Sequence, residues 1–328
     1  MQEIRWGIIG CGDVTEVKSG PAFNKVPNSK LVAVMRRDAA KAQDYAHRHH
    51  VPKWYNKAED LVNDPEVNAI YVATPPLHHE AFAIAAINAG KPVYIEKPMA
   101  LNSEAAANIV EAANRTGVKV CIAHYRRELP LFKKVKEIIN SNILGDIRVV
   151  IMQMLQPHNA AIITQTTDNW RVDPGVSGGG LFHDLAPHQI DLMYHFFGEV
   201  KSGNGISLNQ GKHYSADDFV QGFLLFENNI LFNGLWCYTV PKEETKDKCE
   251  IIGSKGKISF GIFRHDTLVI ESNSEKQELK FEIPVHIQQP MIKKVVEYFR
   301  EEGLNPCTAN EGLEVMKLME MLTGKLSK

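Results

Sequence analysis

Paired cysteines are absent from this 328-residue chain. Its five cysteines (Cys11, Cys121, Cys237, Cys249 and Cys307) are odd in number and scattered, with no Cys-x-x-Cys among them. That pattern argues against a disulfide framework or a thiolate metal site and fits a reducing, cytoplasmic setting. No run approaches the roughly 18 uninterrupted apolar residues of a membrane span. The chain enters a strand-like stretch at once, with no basic-then-apolar leader, so neither a signal peptide nor a membrane partner is expected. A surplus of positive charge is missing as well. The formal net charge is −2, so nucleic acid has no electrostatic hold on the chain and is not expected as a partner. With 44% hydrophobic and 23% charged residues, the composition is neither that of a disordered nor of a fibrous protein. The length is too great for one small core and suits two domains.

What is present is alternation. Up to residue 125, Ile4–Ile9, Leu31–Met35, Ala69–Ala73, Val93–Glu96 and Val118–Ala123 read as strands rich in Val and Ile. Between them Ala39–His49, Leu77–Ala89 and Ser103–Arg115 read as helices, with Ser103 as an N-cap and Gly90 and Gly117 as C-terminal glycines. Such βαβ units imply a buried, doubly wound parallel sheet, an α/β Rossmann domain. From Gly145 the texture changes. Arg148–Leu155, Phe219–Phe226, Ile230–Tyr238, Cys249–Ile252, Lys257–Phe260, Leu268–Glu271 and Glu278–Ile283 read as strands without intervening helices. Turn residues 227–229 join two of them as a hairpin and 253–256 join another pair. The expectation is a C-terminal α+β domain with a large, mostly antiparallel sheet. A helix around Pro187–Phe197 crosses it, and helices near Ile292–Glu301 and Glu311–Leu322 end the chain. The division is set as residues 1–125 and 126–328, with the C-terminal helices free to pack back on the first domain.

The first strand runs into Gly10-Cys11-Gly12-Asp13-Val14-Thr15. Gly10 permits a tight turn, and Gly12 lets the backbone approach a pyrophosphate at the helix N-terminus. Thr15 stands where the fingerprint has its third glycine. A glycine-rich βα turn needs no ligand to explain it; its place after the first strand of a βα series is what points to a dinucleotide. The second strand ends in Arg36-Arg37-Asp38. An acidic residue there would bind the adenosine ribose hydroxyls, whereas an arginine accommodates a 2′-phosphate. Arg36, with Arg37 beside it, therefore favours NADP(H), and NAD(H) stays as the alternative; Asp38 reads as the start of the next helix.

Two further segments carry chemistry. Glu96 and Lys97, before Pro98, fall at the carboxyl end of a strand, where open α/β sheets bind ligands. Read alone, Lys-Pro after a strand is more often an ordinary turn. The other segment is Gly178-Gly179-Gly180, then His183-Asp184-Leu185-Ala186-Pro187-His188. Pro187 cannot sit deep in a helix, so the helix should begin near Asp184 or Leu185, with Asp184 as N-cap. Residues four apart share a helix face, so Asp184 and His188 can address one ligand, binding a hydroxyl and moving its proton. A capped helix with a structural histidine explains the same pattern. His183, Asp184, His188 and Asp191 could also be read as metal ligands. That reading leaves the first domain unexplained, and no metal is expected. His47, His49 and His50 read as surface residues.

Together these features resemble the glucose–fructose oxidoreductase/inositol dehydrogenase (Gfo/Idh/MocA) family. The resemblance runs from the glycine turn to the C-terminal helices. It rests on Gly10-Cys11-Gly12, Glu96-Lys97-Pro98, Tyr125-Arg126 with Pro130, Asn169-Trp170-Arg171, the three glycines with Asp184 and His188, and residues 252–256. The resemblance implies an NADP(H)- or NAD(H)-dependent oxidoreductase moving hydride between nicotinamide and a sugar or polyol hydroxyl or carbonyl. Lys97 would lie beside the nicotinamide and bond the reacting oxygen. His188 would donate and accept the proton, and Asp184 would hold the substrate. Thr74, Pro75 and His78 would line the cofactor cleft. Trp170 and Arg171 would reach cofactor or substrate, and Tyr125 the substrate. His183 has no assigned role. A homodimer or homotetramer through the C-terminal sheet is implied, the apolar alternation of Phe219–Phe226 and Ile230–Tyr238 offering a second face. Two relatives in the same family set the alternatives: a glycosidase that oxidises its sugar transiently, and a cofactor-sensing regulator. Retention of Lys97, Asp184 and His188 together favours the oxidoreductase.

Overall fold

Strand β1 (Ile4–Ile9) is buried at five of its six positions, the mark of a strand covered on both faces. A computed structural model of the chain describes residues 2–160, 162, 169–264, 266–272 and 274–326. It divides into two compact units, Met1–Arg126 with Pro284–Met316, and Arg127–Ile283 with Lys317–Lys328.

In the first unit β1 is followed by helices α1 (Asp13–Val17) and α2 (Gly20–Phe23), then β2 (Ser29–Met35), α3 (Ala39–Arg48), β3 (Lys53–Tyr55), α4 (Ala58–Asn63) and β4 (Ala69–Val72). After β4 come α5 (His79–Asn88), β5 (Val93–Ile95), α6 (Ser103–Thr116) and β6 (Val120–Ile122). The strands form one parallel sheet in the order β3-β2-β1-β4-β5-β6. The order reverses between β1 and β4, the switch point at which doubly wound sheets bind ligands beyond their carboxyl ends. Trp6, Tyr71 and Tyr94 are fully buried within this unit.

The second unit holds α7 (Pro130–Asn140), β7 (Ile147–Leu155), α8 (Pro174–Ser177), α9 (Leu181–Phe197), β8 (Val200–Leu208), β9 (Phe219–Phe226) and β10 (Leu231–Cys237). Strands β11 (Lys246–Gly253), β12 (Gly256–Phe260), β13 (Thr267–Ser272) and β14 (Glu275–Lys280) follow. Of the last two helices, α10 (Gln289–Phe299) belongs to the first unit and α11 (Ala309–Leu322) is divided between the two after Met316. The eight strands run in the order β14-β13-β12-β11-β7-β10-β9-β8. All neighbours are antiparallel except β7 and β10. Along β10 buried and less buried residues alternate, as expected of a sheet covered on one face. On the covered face Trp236 meets Phe182 of α9 edge-on at 5.0 Å and donates its Nε1–H to Gln189 Oε1 at 2.6 Å.

Several expectations need correction. The N-cap of α6 is Asn102, whose side chain accepts from Ala105 N at 2.9 Å; Ser103 is already helical. Helix α9 begins at Leu181, with Gly180 as N-cap and Pro187 inside. Proline removes the bond to the carbonyl four residues back, that of His183, at about 3 kcal/mol. Fourteen of the seventeen helix residues are buried, and that packing outweighs the loss. Asp184 is therefore a first-turn residue and not the cap. Two strands escaped the pattern. Strand β3 is a three-residue edge strand, and β8 carries Gly203 and Gly205 instead of branched residues. Those glycines are steric: a Cβ on Gly205 would fall 2.0 Å from Leu322 O, where α11 crosses the strand.

Candidate active site

The chain turns after β1 at Gly10, whose φ of +95° favours glycine. A Cβ there would lie 2.7 Å from Thr74 Cγ2, so the turn closes against the loop after β4. The N–H groups of Gly10 and Cys11 both donate to Met35 O. Arg36 leaves the end of β2 and donates from Nη1 to Cys11 O at 3.2 Å, which folds it back onto the turn. Gly12 is extended, and a Cβ on it would meet nothing nearer than Gly10 O at 3.9 Å. Gly10 is thus required by the protein's own packing, whereas Gly12 keeps space free. Thr15 is buried and donates Oγ1 to Gly12 O at 2.8 Å, tying the turn from within where the fingerprint has glycine. Arg37 and Asp13 are exposed and Val14 is half-buried. Asp38 caps α3 by accepting from Lys41 N. Thr74 Oγ1 is shielded from solvent with no hydrogen-bond partner among the described residues. Open space at Gly12 and an unanswered hydroxyl at Thr74 fit a dinucleotide at this turn.

Beyond β4, Pro75 leads into a 3₁₀ turn, Pro76–His78. His78 is half-buried, and burial followed by the Arg37 charge pulls its pKa down. Beyond β5 stand Glu96 and Lys97. Glu96 is buried and accepts from the Tyr71 hydroxyl, from Gln288 Nε2 at 2.6 Å and from Lys97 N at 3.2 Å. Burial, reinforced by this carboxylate, holds the Tyr71 hydroxyl far above its ordinary range. Glu96, expected among the cofactor-binding residues, has its carboxylate committed inside the unit and anchors the end of β5. Lys97 is half-buried directly after it. Tyr125 is buried in a 3₁₀ turn, Tyr125–Glu128, with the Arg126 guanidinium 5.6 Å from its ring centre.

In the second unit α9 presents Asp184 and His188 four residues apart, one turn of the same face. Arg171 Nε lies 3.3 Å from Asp184 Oδ2 and its guanidinium packs on the Trp170 ring at 4.5 Å. Arg171, Asp184 and Trp170 are therefore brought together. His188 is buried, with the Phe263 ring edge-on at 5.8 Å. Asp191 points elsewhere: Arg127 grips both its oxygens, Nη2 to Oδ1 at 2.7 Å and Nε to Oδ2 at 3.1 Å, with both side chains almost fully buried. Among the described residues no group of three His, Cys, Asp or Glu is placed to hold a metal ion. His183 is buried against Gly179, where an added Cβ would overlap its ring, and burial lowers its pKa to about 4.

The model of an oxidoreductase family with an NAD-binding Rossmann fold matches residues 4–124, and the model of the GFO/IDH/MocA C-terminal domain matches residues 132–259. The chain belongs to the Gfo/Idh/MocA family. Within this family it is 47% identical over 321 residues, 98% of each chain, to Oxidoreductase P35 of Formosa agariphila. It is 28% identical over 229 residues to the trans-1,2-dihydrobenzene-1,2-diol dehydrogenase of Bos taurus, covering 69% of this chain and 66% of that one. A levoglucosan dehydrogenase solved with NADH and levoglucosan has the same fold, with a TM-score of 0.87 at 20% identity, over 98% of this chain and 96% of that one. The protein is thus a Gfo/Idh/MocA oxidoreductase with an NAD-binding Rossmann fold.

Three structurally engaged residues are missing from the sequence reading: His79, Arg127 and Gln288. His79 could have been found, since it shares the buried stripe of α5 with Ala83, Ala86 and Ile87. Nothing local marks Arg127 or Gln288, whose partners lie 64 and 192 residues away.

Proposed function

We propose that the protein is an NAD(P)-dependent dehydrogenase or reductase acting on a CH–OH group of a sugar or polyol. The observation that carries the reading is the glycine turn, open at Gly12 and bordered by the unanswered Thr74 hydroxyl, in a chain that matches the family over both of its parts. Solved relatives that hold sugars, and a relative acting on a diol, support the substrate class. Nicotinamide, when bound, accepts or supplies the hydride. Gly10, Gly12, Asp13, Val14, Thr74, Pro75 and His78 take the dinucleotide on the Rossmann side, with Trp170 contributing. Arg36 and Arg37 receive a 2′-phosphate, so NADP(H) is the favoured cofactor. Lys97 stabilises negative charge growing on the reacting oxygen. His188 takes the hydroxyl proton in oxidation and returns it in reduction. Asp184, held by Arg171, accepts a substrate hydroxyl, and Tyr125 packs beside the substrate.

Incubation with NADP⁺ or NAD⁺ and a panel of sugars, polyols and sugar phosphates tests this by nicotinamide absorbance. Substrate-dependent reduction should fall at least about a hundredfold in Lys97→Ala and in His188→Ala. Tight nucleotide binding without turnover on any panel member points to the transient-oxidation or sensing relatives, and no binding of either nucleotide overturns the reading. We also propose a homodimer or homotetramer through the open sheet face, where Ile151, Phe223, Ile206 and Leu208 are exposed. Light scattering should give a multiple of the chain mass, and a monomer at working concentration removes this part.

A further inference from the structure

One buried ring in the first unit takes no part in the site as described, yet touches two of its loops. His79 opens α5 and is 1% exposed. Its Nε2 lies 2.6 Å from Thr74 O and its Nδ1 lies 2.9 Å from Pro98 O. Thr74 follows β4, Pro98 follows Lys97 at the end of β5, and β4 and β5 are neighbours in the sheet. Thr74 in turn abuts Gly10 of the glycine turn. The imidazole therefore bridges the backbones that set the Thr74 hydroxyl and the Lys97 amine.

We propose that His79 is a positioning residue: one ring stands between the Thr74 loop on its Nε2 side and the Lys97–Pro98 segment on its Nδ1 side, donating to one carbonyl and spacing the other, so that the two are set for nucleotide and substrate. The proposal rests on the oxidoreductase reading above and adds a residue to it. Backbone bonding to Thr74, Pro98 and Met99 favours the protonated ring. Complete burial opposes this and prevails, pulling the pKa to about 4. At neutral pH the ring carries a single N–H and donates to one carbonyl at a time, and because the two contacts lie on different ring nitrogens they can be separated by substitution.

Amide side chains isolate them. In His79→Asn the amide nitrogen falls near the Nδ1 position and keeps a donor for Pro98 O; in His79→Gln it falls near Nε2 and keeps a donor for Thr74 O. Two readouts are needed: NADPH and NADH affinity by fluorescence titration, and the rate at which Lys97 is acetylated by an active ester without nucleotide, read by peptide mass spectrometry. His79→Ala should weaken nucleotide binding about tenfold, the effect of one lost hydrogen bond, and change the Lys97 labelling rate severalfold. His79→Gln should recover nucleotide affinity but not the labelling rate, and His79→Asn the reverse. A purely structural histidine would give Asn and Gln variants that lower the melting temperature alike and do not separate the readouts; that result overturns the proposal. If the Ala variant does not fold, the Asn and Gln pair still decides. Wild-type protein that binds neither nucleotide would sink the oxidoreductase reading, whereas the labelling arm would still judge His79.

Discussion

Strands β4, β5 and β6 are buried at every position, whereas β10 buries three residues of seven and β9 three of eight. A strand covered on both faces has no side chains to spare for a ligand, so in the first unit the proposed site residues Gly12, Thr74 and Lys97 all fall on loops past the strand ends. In the second unit the residues proposed for the chemistry, Asp184 and His188, lie on a helix packed against one face of the one-sided sheet. The two units also treat buried charge differently. Asp191 in the second is matched by a guanidinium, while Glu96 in the first is met by neutral donors from Tyr71 and Gln288 and by a backbone N–H.

The largest test of that contrast is to remove one partner from each. Arg127→Leu removes the guanidinium that grips both oxygens of buried Asp191 and should cost about 3–5 kcal/mol. Gln288→Ala takes a single neutral donor from Glu96 and should cost about 1–3 kcal/mol. Urea unfolding measures both, and equal losses would erase the distinction.

Next comes acid, to which the units should respond alike. His79 and His183 each titrate at about 4 when folded against 6.5 when free. Between those values the unfolded chain binds more protons, so their contribution is complete above about pH 6.5 and fades as pH falls toward 4. Each is worth on the order of 3 kcal/mol. Melting curves across that range should flatten in His79→Gln and in His183→Gln; an unchanged slope in either would break the parallel.

The smallest effect separates two glycines. Gly205→Ala drives a methyl group into Leu322 O and should cost about 1–3 kcal/mol. Gly12→Ala meets open space, so melting should hardly move. Nucleotide affinity should nonetheless fall about tenfold or more if the backbone lies against a pyrophosphate. A Gly12 variant that binds as wild type would remove the turn from the site.

Much of this was legible in the sequence because it is local. The Val/Ile-rich segments, the glycine turn and Asp38 as a cap all lie within a few residues of their own signals. So does the β9–β10 hairpin, where Asn229 adopts a φ of 63°. Strand β8 was not legible, since Val200-Lys201-Ser202-Gly203-Asn204-Gly205 looks like a loop until α11 is laid across it. The start of α9 misled for the converse reason: a local rule about Pro187 was overridden by burial along the whole helix. In the site, residue identities could be named from motifs, but not their commitments. The inward turn of Glu96 depends on Gln288, and the capture of Asp191 depends on Arg127.

The bond between Gln288 and Glu96 also bears on the order of synthesis. The first unit opens the chain but is not finished by its first 126 residues. Gln288 leaves the ribosome 192 residues after the glutamate it completes, roughly 10–40 seconds later at ordinary elongation rates. For that interval a nascent Rossmann sheet carries a carboxylate that must either stay wet or wait. The two units are therefore interleaved along the chain, Arg127–Ile283 of the second emerging inside the first and Lys317–Lys328 after it, and a fragment ending before residue 284 should not behave as an independent nucleotide-binding module.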